Sequence, residues 1–175
     1  QNPAAPPSGK GVPLRPPLRP VLLAASLLAA GPAFGADSPW TRVSEAQIPA
    51  APGIREIVPQ KFVVHRADPA ALRQALAAAP REGKGGSPLI FSMPTPEGGL
   101  EDFKVVESPI MEPGLAEKFP ELKTYTAQGV NDPTASGRLD VTPAGFHGYI
   151  LSVRGTFLID PYRRGDASHY VTYWK

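Results

Sequence analysis

The chain has 175 residues and no cysteine, and its 18 lysine and arginine residues outnumber its 16 aspartate and glutamate residues by two. Three of the basic residues precede residue 36, which leaves 15 basic and 16 acidic residues, a net charge of −1, in the rest. We therefore expect no nucleic-acid partner, because such a partner needs a clustered basic face, and an apolar core instead of disulfides must hold the protein together. The 23 prolines and 17 glycines favour one domain of short strands and turns over a helical bundle.

The N-terminal segment, residues 1–35, combines a proline-rich lead with the three parts of a secretory signal peptide. Three basic residues precede an apolar stretch over 21–30, and small residues follow it around Gly35 and Ala36. The apolar stretch is about half as long as a helix that crosses a bilayer. We expect export, cleavage by signal peptidase at Gly35 or Ala36, no membrane association after cleavage, and a secreted or periplasmic protein.

Residues 36–58 are predicted to form an exposed lead-in with one buried anchor at Trp40. The segment 61–66 is rich in β-branched and aromatic residues and predicts a strand. The Asp-Pro pair at 68–69 has the N-cap and first-turn chemistry that begins a helix, which we expect over 70–79.

The rest of the predicted domain over 59–175 consists mostly of strands and turns. Strands are expected over 89–93, 100–107, 122–128, 136–141, 145–152, 156–160 and 169–173, and a second short helix over 113–119. Short strands separated by turn residues indicate an antiparallel sheet of successive hairpins. The predicted fold class is α+β and β-dominated, with one or two short helices and a signal peptide in front.

The residue types in this domain do not combine into a known active-site motif. The three histidines are His65, His147 and His169, and no H-E-x-x-H sequence occurs, which excludes a helix-borne zinc site. Asp160, Asp166 and His169 share one turn region, as they would in an independent hydrolase that uses carboxylates. The other interpretation is ordinary turn chemistry, in which an aspartate bonds to the backbone that follows it. We predict no catalytic, cofactor-binding or metal-binding residue in this chain.

Four blocks of sequence, at 103–129, 132–133, 138–147 and 155–162, together resemble the N-terminal region of secreted bacterial reprolysin-like (adamalysin-type) zinc metalloproteases. The resemblance covers about residues 60–175. In that family an exported pro-region precedes a catalytic domain with the motif H-E-x-x-H-x-x-G-x-x-H, none of whose ligands has a counterpart here. The resemblance implies a signal peptide and a non-catalytic pro-region, whose partner is its own downstream metalloprotease domain and whose zinc belongs to that domain. The aromatic strand pattern at the C-terminus stops without a turn, so we expect the chain to be a fragment that lacks the catalytic domain.

A pro-region without cysteine cannot inhibit the protease by coordinating its zinc through a cysteine thiolate. If it inhibits the protease, it must block the cleft sterically or present a carboxylate or a histidine to the metal. We expect it to assist folding, to cover the active-site cleft, or both. The strand over 145–152 is the predicted docking element, because an exposed edge strand can extend the strand to which a protease's substrate binds.

A free-standing secreted β-rich module that binds a cell-surface protein or polysaccharide is the alternative hypothesis. It would use exposed aromatic side chains of the C-terminal strands: Tyr149, Phe157, Tyr162, Tyr170, Tyr173 and Trp174. The other interpretation of these aromatics is core packing and cross-strand pairing.

Overall fold

The computed structural model describes residues 1–4 and 38–175. The predicted signal peptide and its cleavage site at Gly35 and Ala36 lie outside these residues. Along the described part the elements are β1 (Trp40–Val43), β2 (Val63–Ala67), α1 (Pro69–Leu76), β3 (Leu89–Pro94), β4 (Leu100–Glu107), α2 (Pro113–Lys118), β5 (Lys123–Gly129), β6 (Ser136–Thr142), β7 (Gly145–Ser152), β8 (Gly155–Pro161) and β9 (His169–Trp174). A short 3₁₀ turn, Glu45–Gln47, follows β1.

The strands in the described part form one nine-stranded antiparallel sheet, in the order β1-β2-β9-β8-β7-β6-β5-β4-β3. From β3 to β9 each strand pairs with the next one along the chain. The N-terminal strand β2 joins the sheet by pairing with β9, where Val64 lies opposite Val171. The predicted β-dominated α+β class, with successive antiparallel strands and two short helices, is confirmed.

The sheet is curled around one face, which we call the inner face. Trp40 on the outermost strand β1 packs edge-on against Phe146 of β7 and Tyr170 of β9, with ring centroids 5.5 and 5.2 Å apart. From the opposite outermost strand, Phe91 of β3 lies 6.4 Å from the same Phe146 ring. Both ends of the sheet therefore meet at β7 across a common apolar core.

Alternation along the strands separates the core from the outer face. On β7, Phe146 and Ile150 point inward and are buried, whereas His147, Tyr149 and Leu151 point outward. Pairing with β6 and β8 carries this alternation across the sheet. Because every second residue is apolar, the strands place one apolar layer on the inner face, and their polar side chains lie on the outer face.

Helix α1 begins as predicted and ends earlier than expected. Asp68 accepts a hydrogen bond from the backbone N–H of Ala70 at 2.9 Å and thereby caps the first turn. Leu72 and Leu76, one turn apart, are buried in the core. The helix ends at Leu76 instead of residue 79. Beyond it, the backbone N–H groups of Ala78 and Ala79 each donate to the carbonyl three residues earlier, which is the tighter 3₁₀ pattern.

The lead-in contains a strand that we did not predict from the sequence. Strand β1 pairs with β2, so that Trp40 lies opposite Ala67 and Arg42 lies opposite His65. Four residues are too few to display an alternation pattern, and only one of them, the predicted anchor Trp40, is fully buried.

The segment after β1 is held to the loop that joins β8 and β9. The Arg163 guanidinium donates to the backbone carbonyls of Ala51 and Pro49 at 2.7 and 2.8 Å. The backbone N–H of Arg164 donates to the carbonyl of Ile54 at 3.0 Å. Residues 49–56 therefore lie beside the outward-pointing side chains of β8.

Candidate functional site

Of the three residues that the sequence suggested for a carboxylate-using hydrolase, the structure brings Asp166 and His169 into contact, whereas Asp160 bonds to Tyr173 instead. Asp166 Oδ1 accepts hydrogen bonds from the backbone N–H groups of Ser168 and His169, at 3.0 and 3.1 Å. The His169 Nδ1 atom lies 3.0 Å from Asp166 Oδ2. The interpretation of Asp166 as turn chemistry is therefore confirmed. Asp160 lies within β8, in agreement with the predicted strand, but its carboxylate accepts a hydrogen bond from the Tyr173 hydroxyl, so the interpretation as turn chemistry is wrong for Asp160.

Asp160 belongs to a different group, which we call the His147 cluster: Asp140, His147, Asp160 and Tyr173. Asp140 on β6 lies directly opposite His147 on β7, and His147 Nδ1 is 2.8 Å from Asp140 Oδ1. The Tyr173 hydroxyl on β9 donates to Asp160 Oδ2 on β8 at 2.9 Å. All four side chains occupy the outer face, so four consecutive strands of the sheet build the cluster.

The electrostatics of the His147 cluster favour a charged histidine. The hydrogen bond to Asp140 is the largest cause that raises the pKa of His147, and the charges of Asp140 and Asp160 act in the same direction against burial. Burial raises the pKa of Asp160, opposed by the Tyr173 hydrogen bond and by the charge of His147. Burial and the bond to Asp160 raise the pKa of Tyr173.

Asp140 controls the proton affinity of His147, and its replacement gives a direct test. We expect Asp140→Asn to lower the pKa of His147, because the variant removes both the carboxylate acceptor and its charge. Titration of the histidine ring signals by NMR measures this pKa. The control is Asp166→Asn, which alters the partner of His169 and should leave the pKa of His147 in place. An unchanged value in Asp140→Asn would contradict the assigned cause.

The side chains of the cluster are suited to proton exchange and ion pairing. A cavity of about 250 Å³ adjoins it and is lined by His147 and Asp160, by Arg163 and Arg164, and by Glu56 of the lead-in. Its lining includes no serine, threonine or cysteine that could act as a nucleophile. Among residues 1–4 and 38–175, no group of three histidine, aspartate or glutamate side chains is arranged to hold a metal ion.

The predicted docking strand is not at an edge of the sheet, and that prediction is wrong. β7, Gly145–Ser152, pairs with β6 on one side and with β8 on the other, so its backbone groups are already engaged. In the described part of the chain, the outermost strands are β1 and β3. In a sheet of successive hairpins the strand over 145–152 lies between its two neighbours along the chain, so the predicted hairpin order itself argued against an edge position.

The edge of β3 that lies away from β4 carries backbone groups without a partner strand among the described residues. The register of β3 with β4 identifies these groups. The N–H of Thr95 donates to the carbonyl of Gly99 at 3.0 Å, and the N–H of Val130 donates to the carbonyl of Asp102 at 2.9 Å. Because hydrogen-bonded pairs alternate along an antiparallel ladder, Ile90 and Ser92 direct their N–H and C=O groups away from β4. Ile90 is 53% exposed, and its side chain lies on the outer face of the sheet opposite Lys104.

The aromatic residues considered for a binding platform divide between core and surface. Phe157 and Tyr170 are buried, and Trp174 packs edge-on against Phe157 with ring centroids 5.7 Å apart, which confirms the core interpretation for these residues. Tyr149 is exposed on the outer face, and the ammonium of Lys175 lies 5.7 Å from the centroid of its ring. A ligand-binding platform on the outer face would therefore contain few aromatic rings.

Within the part of the chain that the structure describes, no helix combines the length and the apolar character needed to cross a membrane. Comparisons with protein-family models, with curated proteins and with solved structures found no match to this chain.

Proposed function

We propose that this chain supplies the non-catalytic pro-region of a secreted zinc metalloendopeptidase, and that the pro-region assists folding of that enzyme and covers its active-site cleft. The sequence resemblance over about residues 60–175 suggests this role, and the structural observation that carries it is the open edge of β3. The zinc belongs to the catalytic domain of the same enzyme, which is the partner. Without a cysteine the cover acts by occupying the cleft.

The edge of β3 suits an interaction with a protease cleft for a physical reason. Proteases bind substrates as extended chains, and an extended chain gains affinity from main-chain hydrogen bonds along a strand edge. Ile90 and Ser92 offer such groups in an extended conformation that the rest of the sheet already fixes. The exposed Ile90 side chain adds an apolar contact, and its preorganised strand loses little conformational entropy on docking.

A proline at Ser92 tests the edge directly, because it removes one outward N–H without touching the β3–β4 hydrogen bonds. We expect the 175-residue chain to slow cleavage of a peptide substrate by the mature catalytic domain. Ser92→Pro should weaken this inhibition at least tenfold, about 1.4 kcal/mol. The matched control is Ser92→Ala, which loses the hydroxyl that donates to Asp102 but keeps the backbone donor, and which should inhibit like the parent chain.

Two results would contradict the proposal. Inhibition by Ser92→Pro that equals inhibition by Ser92→Ala would exclude the β3 edge as the docking element. A stop codon shortly after Lys175, in place of a downstream H-E-x-x-H helix, would exclude the metalloendopeptidase itself.

A free-standing binding module for a cell-surface protein or polysaccharide is the second candidate function. The exposure of Tyr149 and Leu151 on the outer face favours it, because apolar side chains exposed together mark interaction surfaces. Binding of the chain to intact cells, with no effect on any metalloendopeptidase, would select this function over the first.

A further inference from the structure

The outer face carries a groove that the proposed docking edge does not use. It has a volume of about 610 Å³ and crosses strands β4 to β7. Its lining comes from two adjacent rows of paired residues: Val106, Thr126, Arg138 and Tyr149 in one, and Lys104, Gln128, Ser136 and Leu151 in the other. We call this feature the outer-face groove.

The charges in the outer-face groove have one sign. Lys104 and Arg138 line it, and no aspartate or glutamate does. In the described part of the chain neither of these two cations forms a direct ion pair. Arg138 donates to the Ser108 hydroxyl at 3.2 Å, and that hydroxyl donates to the Glu82 carboxylate. The ammonium of Lys175 above the Tyr149 ring adds a third positive charge beside the groove.

Apolar surface lies between these cations. Tyr149 is 37% exposed and Leu151 is 46% exposed, and Val106 of β4 lies in the row of Tyr149. Positive charges that flank exposed apolar side chains complement a ligand that carries carboxylates and apolar side chains together. A lining with one aromatic ring offers little stacking surface for a sugar.

We propose that the outer-face groove binds an acidic polypeptide segment with apolar side chains, contributed by a partner protein. The chain's own N-terminal segment lacks the carboxylates that this pairing needs, because it contains three basic residues and no acidic residue before Asp37. The occupant's carboxylates pair with Lys104 and Arg138, and its apolar side chains pack on Tyr149 and Leu151. This interaction uses side chains of β4 to β7 and not the backbone edge of β3, and it holds whether or not the chain is a pro-region.

The test measures binding of a fluorescent synthetic peptide, in which glutamate alternates with valine and serine, to the full 175-residue chain by anisotropy. We expect saturable binding that weakens as salt is raised and that falls at least tenfold in Lys104→Glu/Arg138→Glu. Arg66→Glu, which reverses an exposed charge on the outer face of β2 away from the groove, should bind like the parent chain. The exposed position of Leu151 makes Leu151→Ser a second variant that folds, and it should weaken binding without altering the salt dependence.

Three results would overturn the proposal: equal affinity of the double variant and the parent chain, equal affinity for a peptide with lysine in place of glutamate, or binding to anionic phospholipid vesicles without binding to the peptide. Ser92→Pro separates the two proposals, because it should abolish docking at the β3 edge and leave peptide affinity at the groove unchanged.

Discussion

Replacing Phe146 by alanine is expected to lower the free energy of unfolding by about 3–5 kcal/mol, the usual cost of removing a large buried aromatic side chain. Phe146 is only 1% exposed. Its ring contacts Trp40 from β1, Phe91 from β3 and Tyr170 from β9. The cavity left by Phe146→Ala would therefore open where both ends of the curled sheet meet. Urea unfolding followed by tryptophan fluorescence measures the loss.

The matched control lies on the same strand and points to the other face. Leu151→Ala removes an apolar side chain that is largely solvent-exposed, so we expect a loss below about 1 kcal/mol. Similar losses in the two variants would contradict the assignment of an inner core and an outer face to β7, and with it the curled arrangement of the sheet.

Acidification is expected to destabilise the protein through His65, which lies on β2, points into the core and is 2% exposed. Burial, and secondarily the charge of Arg42, lower the pKa of His65 from 6.5 to about 4. The unfolded chain takes up this proton near pH 6.5, but the folded chain does so only near pH 4. Stability is therefore complete above pH 6.5 and falls as the pH decreases from 6.5 to 4, by roughly 3 kcal/mol for this group.

The variant His65→Leu isolates this contribution because it has no proton to take up. We expect the parent chain to lose roughly 3 kcal/mol more than His65→Leu between pH 7 and pH 4, measured by urea unfolding at each pH. The comparison cancels the effect of His147, whose raised pKa acts in the opposite direction and stabilises the fold as pH decreases. Equal pH dependence in the two proteins would show that His65 titrates normally and is not buried as an uncharged ring.

Local chemistry in the sequence was sufficient to predict most of the secondary structure. The Asp-Pro pair at 68–69 predicted the start of α1, and the turn at 94–99 predicted the hairpin of β3 and β4. Each of these features depends on residues close together in the chain. The pairing of β2 with β9 depends on residues more than one hundred positions apart, and no local pattern contains that information.

The His147 cluster was partly predictable and was missed. The two-residue connection between Thr142 and Gly145 fixes the register of β6 and β7, and counting back from it places Asp140 opposite His147. The two-residue connection between Ser152 and Gly155 likewise fixes the register of β7 and β8 and places Asp160 level with His147. The contact of Asp160 with Tyr173 was not accessible in this way, because a longer loop joins β8 to β9. That β3 lacks a second neighbour among the described strands was not recognised, because strand order is a property of the whole sheet.

The proposed pro-region function requires the open backbone of β3 to be the surface that contacts the metalloendopeptidase. The most direct measurement is hydrogen–deuterium exchange of the Ile90 and Ser92 amides, with and without the mature catalytic domain. We expect both amides to exchange at least tenfold more slowly in the complex, while amides already bonded within the sheet change little. Complex formation that leaves these two amides exchanging at their free rate would contradict the claim.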